Sequence, residues 1–254
     1  MKTVSKTSSK APDSIRVILT DILERGIVEN ASLIHSGRNK IWRGNADGKD
    51  VAIKVYGNSL IKSIIYSTRK TKARRAFENA LTLIARDIPT PQPLAFAERR
   101  GFINRLTGSV YISMHEETEP LEKYLDCEDK HVLDEFAHFT ATLHNRGILH
   151  HDLNATNVRV RVENGTVAFS LIDINRMKFA SERVSLSLHE RLENLTRFSR
   201  FDASFRYFIM AYIKYSNLPA ETIETAIKIK RNHDRKWNSR QRRKHFFKKL
   251  FHIK

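Results

Sequence analysis

The string Leu149-His150-His151-Asp152-Leu153-Asn154-Ala155-Thr156-Asn157, followed by Leu171-Ile172-Asp173, constrains this chain more than any other feature. Polar side chains are set between apolar runs, so the string reads as a loop joining buried elements. A His-x-Asp, an Asn five residues after the Asp, and a second Asp after a hydrophobic run are the parts of a kinase-type phosphotransferase site. Asp152 can orient a hydroxyl and accept its proton. Asn157 offers an oxygen and Asp173 a carboxylate to Mg2+, which takes few protein oxygens besides phosphates and water. Upstream Val51-Ala52-Ile53-Lys54 adds a cation at the end of an apolar strand. The plainer alternative is a polar loop between two core strands, and the joint spacing with Lys54 weighs against it. His150 is expected to brace the loop by hydrogen bonds rather than react.

An ammonium in an apolar strand is costly unless a carboxylate meets it. Glu78, 24 residues on and beside Phe77 in an amphipathic stretch, is the expected partner of Lys54, with Glu98 next. The Ser36-Gly37-Arg38-Asn39 turn is a weak phosphate-covering candidate. It has one glycine where protein kinases have three, though the backbone amides of Gly37, Arg38 and Asn39 and the Arg38 charge can still meet a phosphate. There is no Walker A string, so a P-loop enzyme is excluded.

Around these residues the pattern predicts an α+β chain in two lobes. Residues 1–13 are polar and read as loose. Ser14 to Glu24 has a helical apolar period, with Ser14 as cap. Leu33–Ile34, Lys40–Arg43 and Val51–Tyr56 read as strands, with turns at Gly37 and Asp47-Gly48. One long helical stretch is predicted over about Lys62 to Arg86, stopped by Pro89, Pro91 and Pro93. Strands at Leu94–Glu98 and Val110–Met114 complete a β-rich lobe, 14–115. The second lobe, 116–236, holds helices near Leu121–Leu125 and Lys130–Asn145, the motif loop, a β-pair about Asn164-Gly165, and helical pattern from Leu186 to Arg235.

The net charge is +17, and it is uneven. Lys228 to Lys254 carries 12 Lys and Arg against one acid, Asp234, a net of +11. The tail, 237–254, mixes cations with Phe247, Leu250 and Phe251, recurring with Lys254 at helical spacing. A basic helix with aromatic anchors can lie on an anionic membrane surface. A solvated tail is the bland reading and nucleic-acid binding a third. A single cysteine, Cys127, excludes an internal disulfide framework. The basic N-terminus has no apolar run behind it, so it is not read as a secretory signal, and no stretch is long enough to span a membrane.

Together these residues resemble the lipopolysaccharide kinase family, the 3-deoxy-manno-octulosonic acid (Kdo) and heptose kinases of Gram-negative bacteria, notably the versions found in Bacteroides-type bacteria. The likeness rests on Gly37-Arg38-Asn39, Lys54-Val55-Tyr56, Ser67 through Glu78, Ile88-Pro89-Thr90-Pro91-Gln92-Pro93, Val110-Tyr111-Ile112-Ser113, His150 through Asn157, and Ile172-Asp173, over about residues 30–200. It implies a protein-kinase-like fold with a β-rich N-lobe and helical C-lobe, ATP and Mg2+ as cofactors, and Lys54, Glu78, Asp152, Asn157 and Asp173 in the roles above. It also implies a lipid A–core glycolipid acceptor, reached from the cytoplasmic face of the inner membrane. Asn154 stands where Ser/Thr kinases have Lys, His151 where many have Arg, and Asp173-Ile174-Asn175 replaces Asp-Phe-Gly. These departures suit a sugar kinase better than a protein kinase. The alternatives are a kinase of the same fold acting on a protein or another small molecule, and a non-catalytic pseudokinase that binds membrane or nucleic acid.

Overall fold

The computed structural model describes residues 1–26, 28–57, 59–181, 184–198 and 203–250. They divide into two compact units: Met1–Thr118 with Ser170–Arg176, and Glu119–Phe169 with Met177–Lys254.

The first unit is built on a six-stranded antiparallel sheet in the order β1-β5-β6-β4-β3-β2. Its strands are β1 (Lys2–Thr7), β2 (Ala31–Ser36), β3 (Asn39–Ala46), β4 (Lys49–Tyr56), β5 (Pro93–Arg100) and β6 (Leu106–Met114). Alternation sorts side chains to the two faces. Val51, Ile53, Ala95, Ala97, Val110 and Ile112 meet Ile15, Leu19, Ile22 and Leu23 of helix α1 (Ile15–Glu24) in one core. Phe96, between the two alanines, points the other way and meets Phe77 of helix α3 (Lys72–Ala85), with ring centroids 5.3 Å apart. Lys54 and Tyr56 follow Ile53 on alternate positions, so β4 turns them away from the α1 core. Asp47-Gly48, with φ of 51° and 79°, closes the β3–β4 hairpin, both residues in the left-handed region that suits this turn.

Three expectations change here. Residues 1–13 include a strand: Lys2–Thr7 pairs antiparallel with β5, from Lys2 opposite Arg100 to Thr7 opposite Ala95. Its side chains are mostly exposed, so it carries no two-residue apolar alternation, and backbone pairing alone places it. The long helix breaks into α2 (Leu60–Ile65) and α3, because Thr71 caps the second helix by accepting the Arg74 N–H at 3.1 Å. Ser14 makes no side-chain cap. Its own N–H donates to Asp47 Oδ2 at 3.2 Å, so the β3–β4 turn supplies the anion at the start of α1.

The second unit contains β7 (Glu119–Pro120), α4 (Leu121–Asp126), α5 (Lys130–Asn145), β8 (Ile148–His150), β9 (Val158–Glu163), β10 (Thr166–Leu171, its last two residues in the first unit), β11 (Met177–Phe179), α6 (Leu188–Leu195), α7 (Ala203–Tyr215) and α8 (Thr222–Leu250). Asn164 and Gly165, both at positive φ, form the β9–β10 turn. Phe136 of α5 stacks with Phe198 and Phe208 at 5.1 and 5.2 Å and meets Phe169 at 5.5 Å, an aromatic core that draws the helices together. Helix α8 is buried at Ala226, Ile227 and Lys230 and exposed from Arg235 through Arg243. The stretch expected as a separate tail thus begins as the continuation of one helix. Phe251 and Lys254 lie outside the described residues, as do the side chains of Phe247 and Leu250.

The division falls after Thr118, and Ser170–Arg176, assigned by sequence to the second lobe, belongs to the first unit. Its ties are direct. Leu171 N–H donates to the Pro89 carbonyl at 3.1 Å, Thr90 Oγ1 donates to the Leu171 carbonyl at 2.7 Å, and Asn79 Nδ2 donates to the Ile174 carbonyl at 2.7 Å.

Candidate active site

Strand β4 delivers Lys54 to the first unit's polar centre. Its Nζ lies 2.6 Å from Asp173 Oδ1, and both side chains are largely withdrawn from water. The Lys54 ammonium also sits 5.4 Å above the Tyr56 ring, and Lys72 sits 6.0 Å from the same ring. Burial, with the Asp173 carboxylate close by, pushes the Tyr56 hydroxyl well above its ordinary value. Asp173 has a φ of 54°, uncommon for any residue but glycine and tolerated best by Asp and Asn. The hydrogen bonds on either side, at Leu171 and Ile174, hold it there, and Asn175 Nδ2 donates to Asp173 Oδ1 at 2.8 Å.

The need of Lys54 for a carboxylate is met, but by a different residue from the one expected. Glu78 accepts from Lys70 Nζ at 2.8 Å and Arg74 Nε at 2.9 Å. Arg74 is one helical turn before Glu78 and is always within reach, whereas Lys54 is on another element. Partial burial would raise the Glu78 carboxyl, but the two cations outweigh it and hold it below its ordinary value. Glu98, the second candidate, is fully buried and accepts from Thr71 Oγ1 at 2.7 Å and from the Arg100 guanidinium, which fastens the start of α3 to β5.

In the second unit, β8 ends at His150 and the chain turns. Asp152 N–H donates to His150 Nδ1 at 3.1 Å, and the ring is fully buried, so His150 is a brace. Asn154 Oδ1 accepts from Thr156 N–H and Asn157 N–H, both at 3.1 Å, and from Thr156 Oγ1 at 2.6 Å. This Asx-type turn re-aims the chain so that Asn157 Nδ2 donates to the Asp152 carbonyl at 2.9 Å. That bond orients the Asn157 amide and leaves its Oδ1 on the other side of the amide group. Arg197 Nη1 is 3.5 Å from Asp152 Oδ1, a contact that no spacing in the sequence announces. Beneath the loop, Asn194 Nδ2 donates to the His150 carbonyl at 2.7 Å, and His144 Nε2 bonds Asn194 Oδ1 at 3.0 Å.

The Gly37-Arg38 turn closes the β2–β3 hairpin. A Cβ on Gly57 would stand 2.3 Å from the Arg38 carbonyl oxygen, so Gly57 is where the end of β4 passes against this turn. Asn39 Oδ1 is buried without a hydrogen-bond partner, so the Asn39 side chain faces inward. Lys72 adds a cation that the sequence reading passed over. Burial, with Lys62 and Arg38 nearby, holds its ammonium below the ordinary value.

Two of the candidate residues carry oxygens of a kind that suits Mg2+. Among the described residues no group of three or more His, Cys, Asp or Glu could hold a metal unaided. A carboxylate at Asp173 and a carboxamide at Asn157 are hard oxygen donors of the kind Mg2+ shares with phosphates and water. Asn175 Oδ1, beside Asp173, is buried with no hydrogen-bond partner, an acceptor in want of a positive neighbour.

A family model described as lipopolysaccharide kinase (Kdo/WaaP) matches residues 27–212. No curated protein matches the sequence. Among solved structures, "WaaP in complex with acyl carrier protein" is similar with a TM-score of 0.60 at 14% identity, covering 94% of this chain and 99% of that one. The Rio2 kinase–ADP/Mg2+–phosphoaspartate complex from Chaetomium thermophilum gives a TM-score of 0.48 at 13% identity, covering 91% and 82%. At 14% identity the likeness to WaaP is one of fold.

Proposed function

The chain belongs to the lipopolysaccharide kinase (Kdo/WaaP) family, and from that premise we propose how its residues divide the work of transfer. It is a kinase acting on a core sugar of lipopolysaccharide. The sugar hydroxyl approaches Asp152, whose carboxylate orients it and takes its proton as the oxygen–phosphorus bond forms. The bond from the γ-phosphorus to the bridging oxygen breaks, and ADP departs. Lys54 lies against phosphate oxygens of ATP and offsets their charge, an effect that is strong in a site withdrawn from water. Asp173 and Asn157 would hold Mg2+, which supplies further neutralisation of the phosphates when bound. Asn154 and His150 keep the loop in shape, and the Gly37-Arg38 turn covers the phosphates.

The observation that carries this reading is the 2.6 Å pair between Lys54 and Asp173, residues 119 apart in sequence. A cation suited to phosphate beside a carboxylate suited to Mg2+ supports this division of roles. The acceptor is a lipid A–core glycolipid, presented at the inner face of the inner membrane, and the basic helix α8 holds the enzyme to that anionic surface. The test is mass spectrometry of lipid A–core from cells with the gene, without it, and complemented by wild type or Asp152→Ala. A phosphate lost on deletion, restored by wild type and not by the variant, is the expected result. An unchanged phosphate pattern on deletion would remove the assignment.

A further inference from the structure

The first unit carries an exposed apolar surface at its β5–β6 hairpin and helix α2. Phe102 and Ile103, at the tip of the β5–β6 hairpin, are 89% and 78% exposed. Ile61 and Ile64 of α2 are 73% and 64% exposed, and Ile65 is exposed beside them. These three share one helical face, while Ser63 is buried, so α2 shows its aliphatic side to solvent in reverse of an ordinary surface helix. The two elements are fastened together. Arg100 Nη1 donates to the Tyr66 carbonyl at 2.9 Å and to the Asn104 carbonyl at 3.3 Å, and Asn104 Nδ2 donates to the Ser67 carbonyl.

The tip is also strained. Ile103 has φ 51° and ψ 38°, the left-handed region that a β-branched residue rarely enters. The Gly101 N–H to Arg105 carbonyl bond at 2.9 Å closes the turn around it. Strain of this kind persists where surrounding structure over-determines it, and here the outcome is two large apolar side chains held outward.

The surroundings decide the partner. Six cations and no acid lie between Ser59 and Phe77, and three cations and no acid between Arg99 and Met114. Arg69 and Arg105 are exposed, and Lys2, opposite Arg100, stands at the same end of the sheet. The nearby acids are spent: Glu98 is buried with Arg100, and Glu78 is held by two cations. An apolar tip accompanied by exposed Lys2, Arg69 and Arg105 matches an anionic bilayer, where rings and aliphatics enter the acyl boundary and cations remain with the headgroups.

We propose that the Phe102–Ile103 tip and the Ile61/Ile64/Ile65 face of α2 form a second membrane-docking surface, which inserts into anionic phospholipid. Full-length protein is sedimented with vesicles of phosphatidylcholine alone and of phosphatidylcholine with phosphatidylglycerol. Phe102→Ser and Ile103→Ser together weaken partition to the anionic vesicles on the order of tenfold, from lost apolar insertion. Phe102→Trp adds a blue-shifted emission, quenched by brominated acyl chains, beyond that of native Trp42 and Trp237. Unaltered sedimentation of the double variant, or no added quenching in Phe102→Trp, overturns the proposal. So does wild type that ignores vesicles and binds polyglutamate through these residues, which would put an acidic protein on the surface instead. ATP turnover with detergent-dispersed glycolipid stays at the wild-type rate in the double variant. A wild type that binds vesicles but lacks that turnover would defeat the kinase reading and leave this one standing.

Discussion

Lys54 and Glu78 show how a residue's role follows from its nearest competitor for charge. Both were expected in one ion pair, yet Lys54 bonds Asp173 and Glu78 bonds Lys70 and Arg74. Their variants should therefore behave differently. Lys54→Met is expected to lower kcat/KM for ATP by roughly a hundredfold or more, the usual loss when a positioned charge-stabilising group is removed. Glu78→Gln is expected to leave that constant near wild type, because the Glu78 carboxylate is engaged by Lys70 and Arg74 while Lys54 is held by Asp173. Steady-state kinetics at varied ATP decides between them, and an equal loss in both variants would restore Glu78 to the nucleotide site. Under the proposed role of Asp173 as a metal ligand, Asp173→Ala should cost turnover by orders of magnitude with little change in substrate binding, the signature of a group that acts mainly on the transition state. Near-normal transfer by that variant would take Asp173 out of the mechanism.

Two elements are held by features that spacing alone does not reveal. The Gly37-Arg38 turn lies against Gly57, and Gly57→Ala must push it aside, since a Cβ would come within 2.3 Å of the Arg38 oxygen. The expected outcome is a smaller ATP-dependent rise in Tm with the ligand-free Tm only modestly lower; an undiminished rise would show that the turn does not cover the nucleotide. In the second unit α5, α6, α7 and β8 meet at His144. Because Asn194 Oδ1 can only accept, His144 Nε2–H donates to it, so Nδ1 accepts from the Tyr212 hydroxyl, 2.8 Å away. Burial, with Arg191 near, lowers the His144 pKa from 6.5 to about 4 despite the Asn194 bond. The unfolded chain then binds this proton more readily than the folded one. Stability is complete above pH 6.5 and falls as pH drops toward 4, by at most about 3 kcal/mol. Denaturant unfolding across that range should show the slope in wild type and lose it in His144→Gln, and parallel slopes would assign the acid sensitivity elsewhere.

For the molecule as a whole the telling quantity is charge distribution. Net charge is +17, and Lys228–Lys254 holds +11 of it. No helix among the described residues is long and apolar enough to cross a membrane. Since α8 is exposed from Arg235 through Arg243, a chain ending at Arg235 should keep its Tm within a few degrees. It should nevertheless lose anionic vesicle binding steeply, at about 1 kcal/mol for each cation near the surface, and the wild-type excess should shrink with added salt. Equal sedimentation of both chains would show that α8 is no anchor, and preference for DNA over vesicles at physiological salt would make it a nucleic-acid contact.

Local chemistry was enough for much of this. Alternation in Val51–Tyr56, the Asp47-Gly48 and Asn164-Gly165 turns, and the apolar period of α1 and α5 are properties of neighbouring residues, which short-range sterics and burial decide wherever the chain goes. Asp152, Asn157, Asp173 and Lys54 stood out in the sequence as candidates because transfer chemistry needs those groups at a small set of spacings. The N-terminal strand was not, since an edge strand exposed on both faces leaves no alternation to see. The break before α3 depended on Thr71 acting as a cap within an otherwise helix-tolerant run. Which carboxylate meets Lys54 was decided only in three dimensions. Leu171 and Ile174 are tied to Pro89, Thr90 and Asn79 from distant parts of the chain, and these bonds carry Asp173 into the first unit. An ion pair is a contest among all charges within reach, and sequence separation does not measure reach.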